Sequence, residues 1–301
     1  MNLKITKKIS RCKNEIFFIT NLYIYIYRIL RRISTNVRVF LPIKRPKNTA
    51  ENVIISLTSY PARLKNLHKV IRSLLHQKLK AKNIILYLGT DTKSSDIPKK
   101  LLRLQKFGLI IKTDYPDIKP HKKYFFVMQE YPENTIITVD DDAFYDKNLV
   151  FDLTECAKKN PNCVIARRVN LITKTEQKLN NYKDFKWEYT KITEPSHALL
   201  ATGCGGVLYP AKIFPKEIFN LEIIKNYCLN TDDIYLKFME LKYNIPVVFS
   251  DSRVIHPLSL RNSQKRALMI ENTENKNQND LNIQKMQEIT GINLSDFAQE
   301  I

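Results

Sequence analysis

Glycine is scarce in this chain, with six residues in 301, so a cluster of three of them within four positions calls for a reason. Cysteine is rarer still. The five are Cys12, Cys156, Cys163, Cys204 and Cys228, an odd number with no CxxC spacing and no histidine placed for a zinc pattern. That excludes a disulfide framework and a structural zinc site, and a reducing, cytoplasmic setting is expected. Tryptophan occurs once, as Trp187. No apolar run is long enough to span a bilayer, which needs about 20 residues. The longest candidate, Ile16 to Tyr27 (IFFITNLYIYIY), is interrupted by Thr20 and Asn21. No small-residue cleavage site follows it, so no secretory signal is expected. There is no internal repeat. With 44% hydrophobic and 26% charged residues, a mainly disordered chain is excluded.

Acidic residues are nearly missing from one segment. The net charge is +19, and residues 1–50 hold twelve basic residues against one acid, Glu15. Apolar positions in that segment step by four and three: Ile5, Ile9, Cys12, Ile16, Ile19, Tyr23, Ile26, Leu30, Ile33 and Val37. The spacing predicts a helix with one apolar stripe. Basic clusters on both sides fit a helix lying in a membrane interface, at the inner face of the membrane. A coiled-coil stalk, or a helix packed on the protein's own core, would give the same stripe. Pro42 and Pro46 end the helix and begin a linker.

Another rhythm follows. Short apolar runs at Val53–Leu57, Ile84–Leu88, Leu109–Lys112 and Thr135–Val139 read as strands. Between them, Leu64–Gln77, Pro98–Phe107 and Lys122–Tyr131 have helical spacing. The alternation predicts an α/β fold with a doubly wound, mainly parallel sheet. Residues 171–200 lack periodicity, Thr231–Lys242 reads as a helix, Val247–Phe249 as a strand, ENTENKNQND as a loop and Leu281–Ile289 as a short helix. The expected division is a basic helix and linker over 1–50, an α/β domain over 51–260, and a polar loop and helix over 261–301.

Sheets of this kind bind ligands beyond the carboxyl ends of their strands, and chemistry-bearing residues stand there. Asp140, Asp141 and Asp142 follow the fourth strand; adjacent carboxylates repel, and in a partly buried site they call for a cation. On an extended segment Asp140 and Asp142 point the same way, so they can share a hard divalent ion that also takes phosphate oxygens. The stretch lacks the glycine and closing glutamate of an EF-hand. Gly203, Gly205 and Gly206 lie in ATGCGGVLYP, where a backbone can approach a ligand or simply make a tight turn. Asp232 and Asp233 open a helix with Thr231 or Asn230 as its cap, a placement that suits the helix dipole on its own. His256 follows late, in DSRVIHPLS.

Strand then DDD, glycine loop, acidic pair, late histidine: the order resembles the GT-A glycosyltransferases, in particular bacterial family-2-like enzymes that build surface polysaccharides. The resemblance covers about residues 52–258. It implies a Rossmann-like GT-A fold with Mn²⁺ or Mg²⁺ held by Asp140, Asp142 and His256, Asp141 beside the donor, and a glycine loop at Gly203, Gly205 and Gly206 bordering donor and acceptor. It also implies a catalytic base at the acidic pair, Asp233 with Asp232, the latter standing where glutamate is usual. Thr58, Tyr60 and Arg63 in LTSYPARL would meet the nucleotide, Asp91 would reach its base or ribose, and Lys119 and Lys123, with His121 and Lys122, would face the diphosphate. The partners implied are a nucleotide-sugar donor and a carbohydrate or lipid-linked acceptor, with peripheral membrane contact. A nucleotidyltransferase is the nearest rival, but its glycine-rich loop after the first strand has no counterpart in LTSYPARL. A nucleic-acid-binding protein is the other rival. The charge is concentrated in the N-terminal segment and no nucleic-acid motif appears, so no nucleic-acid partner is expected.

If the basic stripe meets a bilayer, the full-length protein will sediment with vesicles containing anionic lipid and release as salt rises, because screening weakens the attraction. Equal sedimentation with neutral and anionic vesicles would mark a purely hydrophobic anchor, and none at all would favour a partner helix.

Overall fold

The computed structural model describes residues 26, 29, 30, 32–35, 37–43, 48–251, 258–260 and 277–301. His256, residues 261–276 and most of the basic N-terminal segment lie outside the described residues. The chain divides into two compact units, Met1–Pro42 and Ile43–Ile301. In the first, the described residues between 26 and 40 are helical. Ile29, Leu30, Ile33, Val37 and Phe40 are exposed on it. Among the described residues, no helix is long and apolar enough to cross a membrane.

The second unit is built on a seven-stranded sheet: β1 (Thr49–Ser59), β2 (Lys80–Gly89), β3 (Leu109–Tyr115), β4 (Thr135–Thr138), β5 (Val164–Ala166), β6 (Val207–Tyr209) and β7 (Val247–Phe249). The order is β7-β5-β6-β4-β1-β2-β3. All neighbours run parallel except at β6, which is antiparallel to both β4 and β5. The expected α/β, mainly parallel sheet is therefore present. Alternation along β1 sorts its side chains to two faces. Val53, Ile55 and Leu57 pack beneath the helices α1 (Pro61–Leu75) and α3 (Leu149–Lys159), with Leu67, Ile71 and Leu153. Ile54 turns the other way, against Val127 of α2 (Lys122–Glu130). On that second face α4 (Asp232–Lys242) packs Tyr235 and Phe238 against Val207 and Val247. Helices thus cover both faces, which is why the strands read as unbroken apolar runs.

Two stretches depart from expectation. Pro98–Phe107 forms only a helical turn at Lys99–Leu102 and a 3₁₀ turn at Gln105–Phe107. Gly108, at φ 103°, then redirects the chain straight into β3. The stretch ENTENKNQND is not wholly loop, because Gln278–Thr290 is one helix, α5. Its Ile283 and Met286 join the same core as Ile234 and Phe238 of α4.

The chain leaves β3 at one edge and re-enters the sheet on the far side of β1 as β4, so the winding direction reverses between β1 and β4. That reversal opens a crevice at the carboxyl ends of the two strands. Gly206, which leads into β6 across the crevice, has φ 93°, and a Cβ there would lie 2.7 Å from Leu149 Cδ1. Gly206→Ala should therefore lower stability in urea unfolding by about 1–3 kcal/mol, the usual cost of a residue forced into a glycine-only conformation. A loss under a few tenths would mean that the loop relaxes freely.

Candidate active site: a carboxylate cluster around Lys123

β1 ends at Ser59, and Tyr60-Pro61 starts α1 at once, so Arg63 in its first turn faces the end of β4. The Ser59 hydroxyl donates to Asp141 Oδ2 at 2.5 Å. Arg63 Nη1 pairs with Asp141 Oδ1 at 2.5 Å and with Asp142 Oδ2 at 3.3 Å. Tyr60 lies against the Arg63 guanidinium, 5.3 Å from ring centroid to Cζ. Burial opposes the charge of Arg63, but Asp141 and Asp142 outweigh it and its pKa lies above the ordinary value. Asp141 is buried, and that burial raises its carboxyl despite Arg63 and Ser59. Burial and the charge of Asp140 push Asp142 up to about 6.

Asp140 faces another cation. Lys123 Nζ lies 2.9 Å from Asp140 Oδ1 and 2.8 Å from Asp232 Oδ2. The lysine side chain is 5% exposed. Lys123 stands in the first turn of α2, where the helix dipole disfavours a cation. Burial disfavours its charge as well, yet Asp140, Asp232 and Asp233 together hold its pKa well above the ordinary lysine value. Gly203 makes this possible. A Cβ on it would lie 2.5 Å from Lys123 Nζ, 3.3 Å from Asp233 Oδ1 and 3.4 Å from Asp140 Oδ1. The Gly203 N–H instead donates to Asp233 Oδ1 at 3.1 Å. Tyr145 ties the aspartates to the glycine loop. Its hydroxyl accepts from the Asp140 N–H at 2.8 Å and donates to the Cys204 carbonyl at 3.1 Å.

The first loop, the three aspartates, Lys123, Gly203 and the acidic pair therefore meet in one place. β4 stops at Thr138, and a turn at Asp141 and Asp142 breaks the strand alternation. Asp140 consequently pairs with Lys123 while Asp142 pairs with Arg63. The other expected residues lie elsewhere. The Thr58 hydroxyl donates to the Tyr87 carbonyl at 2.9 Å, within the sheet. Asp91 lies beside Gly89, where a Cβ would come within 2.8 Å of its Oδ1 and 3.4 Å of Asp117 Cβ. Lys119 and Lys122 both pair with Asp117, which they hold down at about 2 against the opposing effect of burial. Gly205 packs on Arg168, whose Cβ would lie 2.5 Å from an added Cβ. His256 is outside the described residues, but the chain just after it is anchored at the aspartates. Leu258 pairs with Phe144, and the Leu260 N–H donates to the Asp142 carbonyl.

Local expectations give way at several residues. The helix dipole alone would lower the pKa of Asp233. Instead its enclosed position, with Asp232 and Asp140 nearby, raises it against the opposing pull of Lys123. His121 does not face a ligand. It is fully buried, with Nδ1 2.8 Å from the Tyr124 hydroxyl and Nε2 2.8 Å from the Cys228 carbonyl. Thr231 precedes α4, but its side chain makes no cap bond to the helix; its hydroxyl accepts from Asn282 of α5 at 2.7 Å. Sequence reasoning missed Ser59, Tyr145 and Arg168. Arg168 stands just past β5 and donates to Thr202 Oγ1 at 2.9 Å, so a look beyond the end of that strand would have found it.

Among the described residues, no three His, Cys, Asp or Glu side chains are grouped to hold a metal ion. In charge, however, the cluster fits a divalent cation: five carboxylates (Asp140, Asp141, Asp142, Asp232, Asp233) face two cations, Arg63 and Lys123. Burial first, and the neighbouring carboxylates second, raise the carboxyls of Asp142 and Asp233.

No protein-family model matches the sequence, and neither does any curated protein. Among solved structures, the chain is similar to the mannosyltransferase PcManGT from Pyrobaculum calidifontis in complex with GDP-Man and Mn²⁺, with a TM-score of 0.46 and 11% identity over 86% of this chain and 71% of that one. It is similar also to S. aureus TarS 1-349, with a TM-score of 0.43 and 13% identity over 71% of this chain and 60% of that one. A third is CMP:2-keto-3-deoxy-manno-octonic acid synthetase complexed with CTP, with a TM-score of 0.39 and 10% identity over 76% of this chain and all of that one. Likenesses this distant say nothing of the chemistry of this site, which rests on the geometry above.

Burial lowers the His121 pKa to about 4 from the ordinary 6.5. Between those values the unfolded chain binds a proton that the native protein does not, so the contribution is full above pH 6.5 and is lost as pH falls towards 4. Its size is about 3 kcal/mol, at 1.36 kcal/mol per pKa unit. His121→Gln should therefore lose less stability than wild type between pH 7 and 4 in urea unfolding, whatever its stability at pH 7. Parallel curves would show that His121 does not titrate differently in the two states.

Proposed function

We propose that this protein transfers a glycosyl unit from a nucleotide-diphosphate sugar to a hydroxyl of a carbohydrate or lipid-linked acceptor. The observation that carries this reading is the convergence of Asp140, Lys123, Gly203 and Asp233 at the sheet's reversal point. A nucleotide diphosphate brings negative charge to a place already rich in it. Mn²⁺ or Mg²⁺ held by Asp140 and Asp142, with His256 as the further ligand implied by the sequence, would neutralise the leaving diphosphate. Arg63 and Lys123 are fixed cations at the same point, and Tyr60, beside Arg63, is placed to stack on the base.

In the transfer, the acceptor oxygen forms a bond to the anomeric carbon. The bond from that carbon to the diphosphate oxygen breaks, and the nucleoside diphosphate leaves with the bonding electrons. The acceptor proton passes to Asp233. A raised pKa suits this role, because a base is most effective when its pKa lies near the working pH. The Gly203 N–H and the first turn of α4 hold its carboxylate in place. Attack from the face opposite the diphosphate inverts the anomeric centre. Tyr60-Pro61 opens α1 with no glycine between it and β1, which argues against a nucleotidyl transfer, whose enzymes carry a glycine-rich loop there. Exposed Leu30, Ile33, Val37 and Phe40 support a helix that rests on the inner face of a membrane, where a lipid-linked acceptor would be met.

Asp233→Asn should lower turnover about 10²–10⁴-fold, the range for a lost general base, while leaving metal-dependent donor binding nearly intact. The measurement is initial release of nucleoside diphosphate, paired with thermal stabilisation by nucleotide sugars with and without EDTA. Full activity in Asp233→Asn, or release of pyrophosphate instead, would overturn the assignment.

A further inference from the structure

Trp187 has no part in the chemistry proposed above, yet its surroundings are built with care. The chain at 186–189 runs antiparallel to the short strand Val169–Leu171. Lys186 and Leu171 exchange backbone hydrogen bonds, and the Tyr189 N–H donates to the Val169 carbonyl at 2.9 Å. Two residues, Trp187 and Glu188, thus stand opposite the single residue Asn170. Both residues lie in a turn between these two attachments. Glu188 takes the left-handed conformation, φ 53°, which costs a non-glycine residue free energy. Its N–H donates to Asn170 Oδ1 at 3.2 Å and its carboxylate accepts from Arg168 Nε at 3.1 Å.

The same Arg168 donates to Thr202, the residue before Gly203. Its Cζ lies 5.6 Å from the Trp187 ring centroid. Tyr182 meets the indole edge-on at 5.9 Å. The indole is half-buried, and its Nε1–H is enclosed without a hydrogen-bond partner. The partly exposed indole packs against the core and lies beside Tyr182 and Arg168. One bridge of contacts runs from it to the proposed base: Trp187, Arg168, Thr202, Gly203, Asp233.

We propose that Trp187, with Arg168 and Glu188, is the platform that binds the acceptor sugar. The exposed part of the indole would stack on the apolar face of a pyranose ring. The carboxylate of Glu188 and the guanidinium of Arg168, one acceptor and one donor, would meet its hydroxyls. This mixture of a flat apolar surface and fixed polar groups suits a neutral carbohydrate rather than a nucleotide or an acyl chain. The proposal rests on the glycosyl-transfer reading for its location but predicts binding that needs no turnover.

Because Trp187 is the only tryptophan of the chain, its emission reports this site alone. Wild-type protein is titrated with methyl glycosides of glucose, galactose, mannose and N-acetylglucosamine, each with and without UDP or GDP plus Mn²⁺. A saturable change in emission with at least one glycoside is expected. In the transfer assay, Trp187→Ala should raise the acceptor KM about 10-fold or more, as loss of a stacking anchor does, with the donor KM unchanged and Trp187→Phe recovering most of the effect. No saturable change with any glycoside overturns the platform. A change with nucleotide sugars but none with glycosides reassigns the indole to the donor, and also overturns it. Thermal stabilisation by nucleotide sugars, read separately, decides the transfer reading: it can succeed where the platform fails, and the platform can bind glycosides where it fails.

Discussion

The ammonium of Lys123 is the point on which the rest of the site depends. It is a buried charge in the first turn of a helix, where neither burial nor the helix dipole favours it. Asp140, from the end of β4, and Asp232, from the start of α4, lie within 2.9 Å of it and supply what those two effects remove. Because the two acids come from opposite ends of the fold, the pairing also joins two pieces of chain that share no strand. Gly203 completes the arrangement by having no side chain where the ammonium must sit. Each partner answers a problem created by another, so no single one can be changed alone.

The same electrostatics explain why the site is poised for a ligand. Two cations among five carboxylates leave the cluster short of positive charge, and burial, reinforced by those like charges, makes Asp142 and Asp233 hold protons more tightly than carboxyls ordinarily do. A divalent ion would relieve the first carboxyl most directly. The second gains from its neighbours the basicity that proton transfer near neutral pH requires. Bringing carboxylates together thus prepares both proposed roles at once.

Much of this was legible in the sequence, for identifiable reasons. Strands such as Ile84–Leu88 announce themselves because both faces are covered and every position is apolar. Asp140–Asp142 and Asp232-Asp233 stand out because their composition is improbable beside buried elements. What could not be read are contacts between residues remote in sequence: Ser59 with Asp141, Tyr145 with Cys204, Arg168 with Glu188 and Thr202. Local rules also misjudged strengths. The dipole of α4 pointed to a lowered Asp233, and enclosure among like charges proved stronger. A basic histidine motif at His121 suggested a ligand face, whereas packing between α2 and the approach to α4 claimed the ring. Helical spacing over Pro98–Phe107 is real but yields only two short turns, Lys99–Leu102 and Gln105–Phe107, before Gly108 redirects the chain.

α5 braces the site from late in the chain. Asn282 donates to Thr231, the residue just before the acidic pair, and the Leu260 N–H donates to the carbonyl of Asp142. Both anchors come late in the chain, while the elements they secure come earlier. A residue as remote in sequence as Asn282 therefore bears on the acidic pair without touching either carboxylate, through the backbone that carries them.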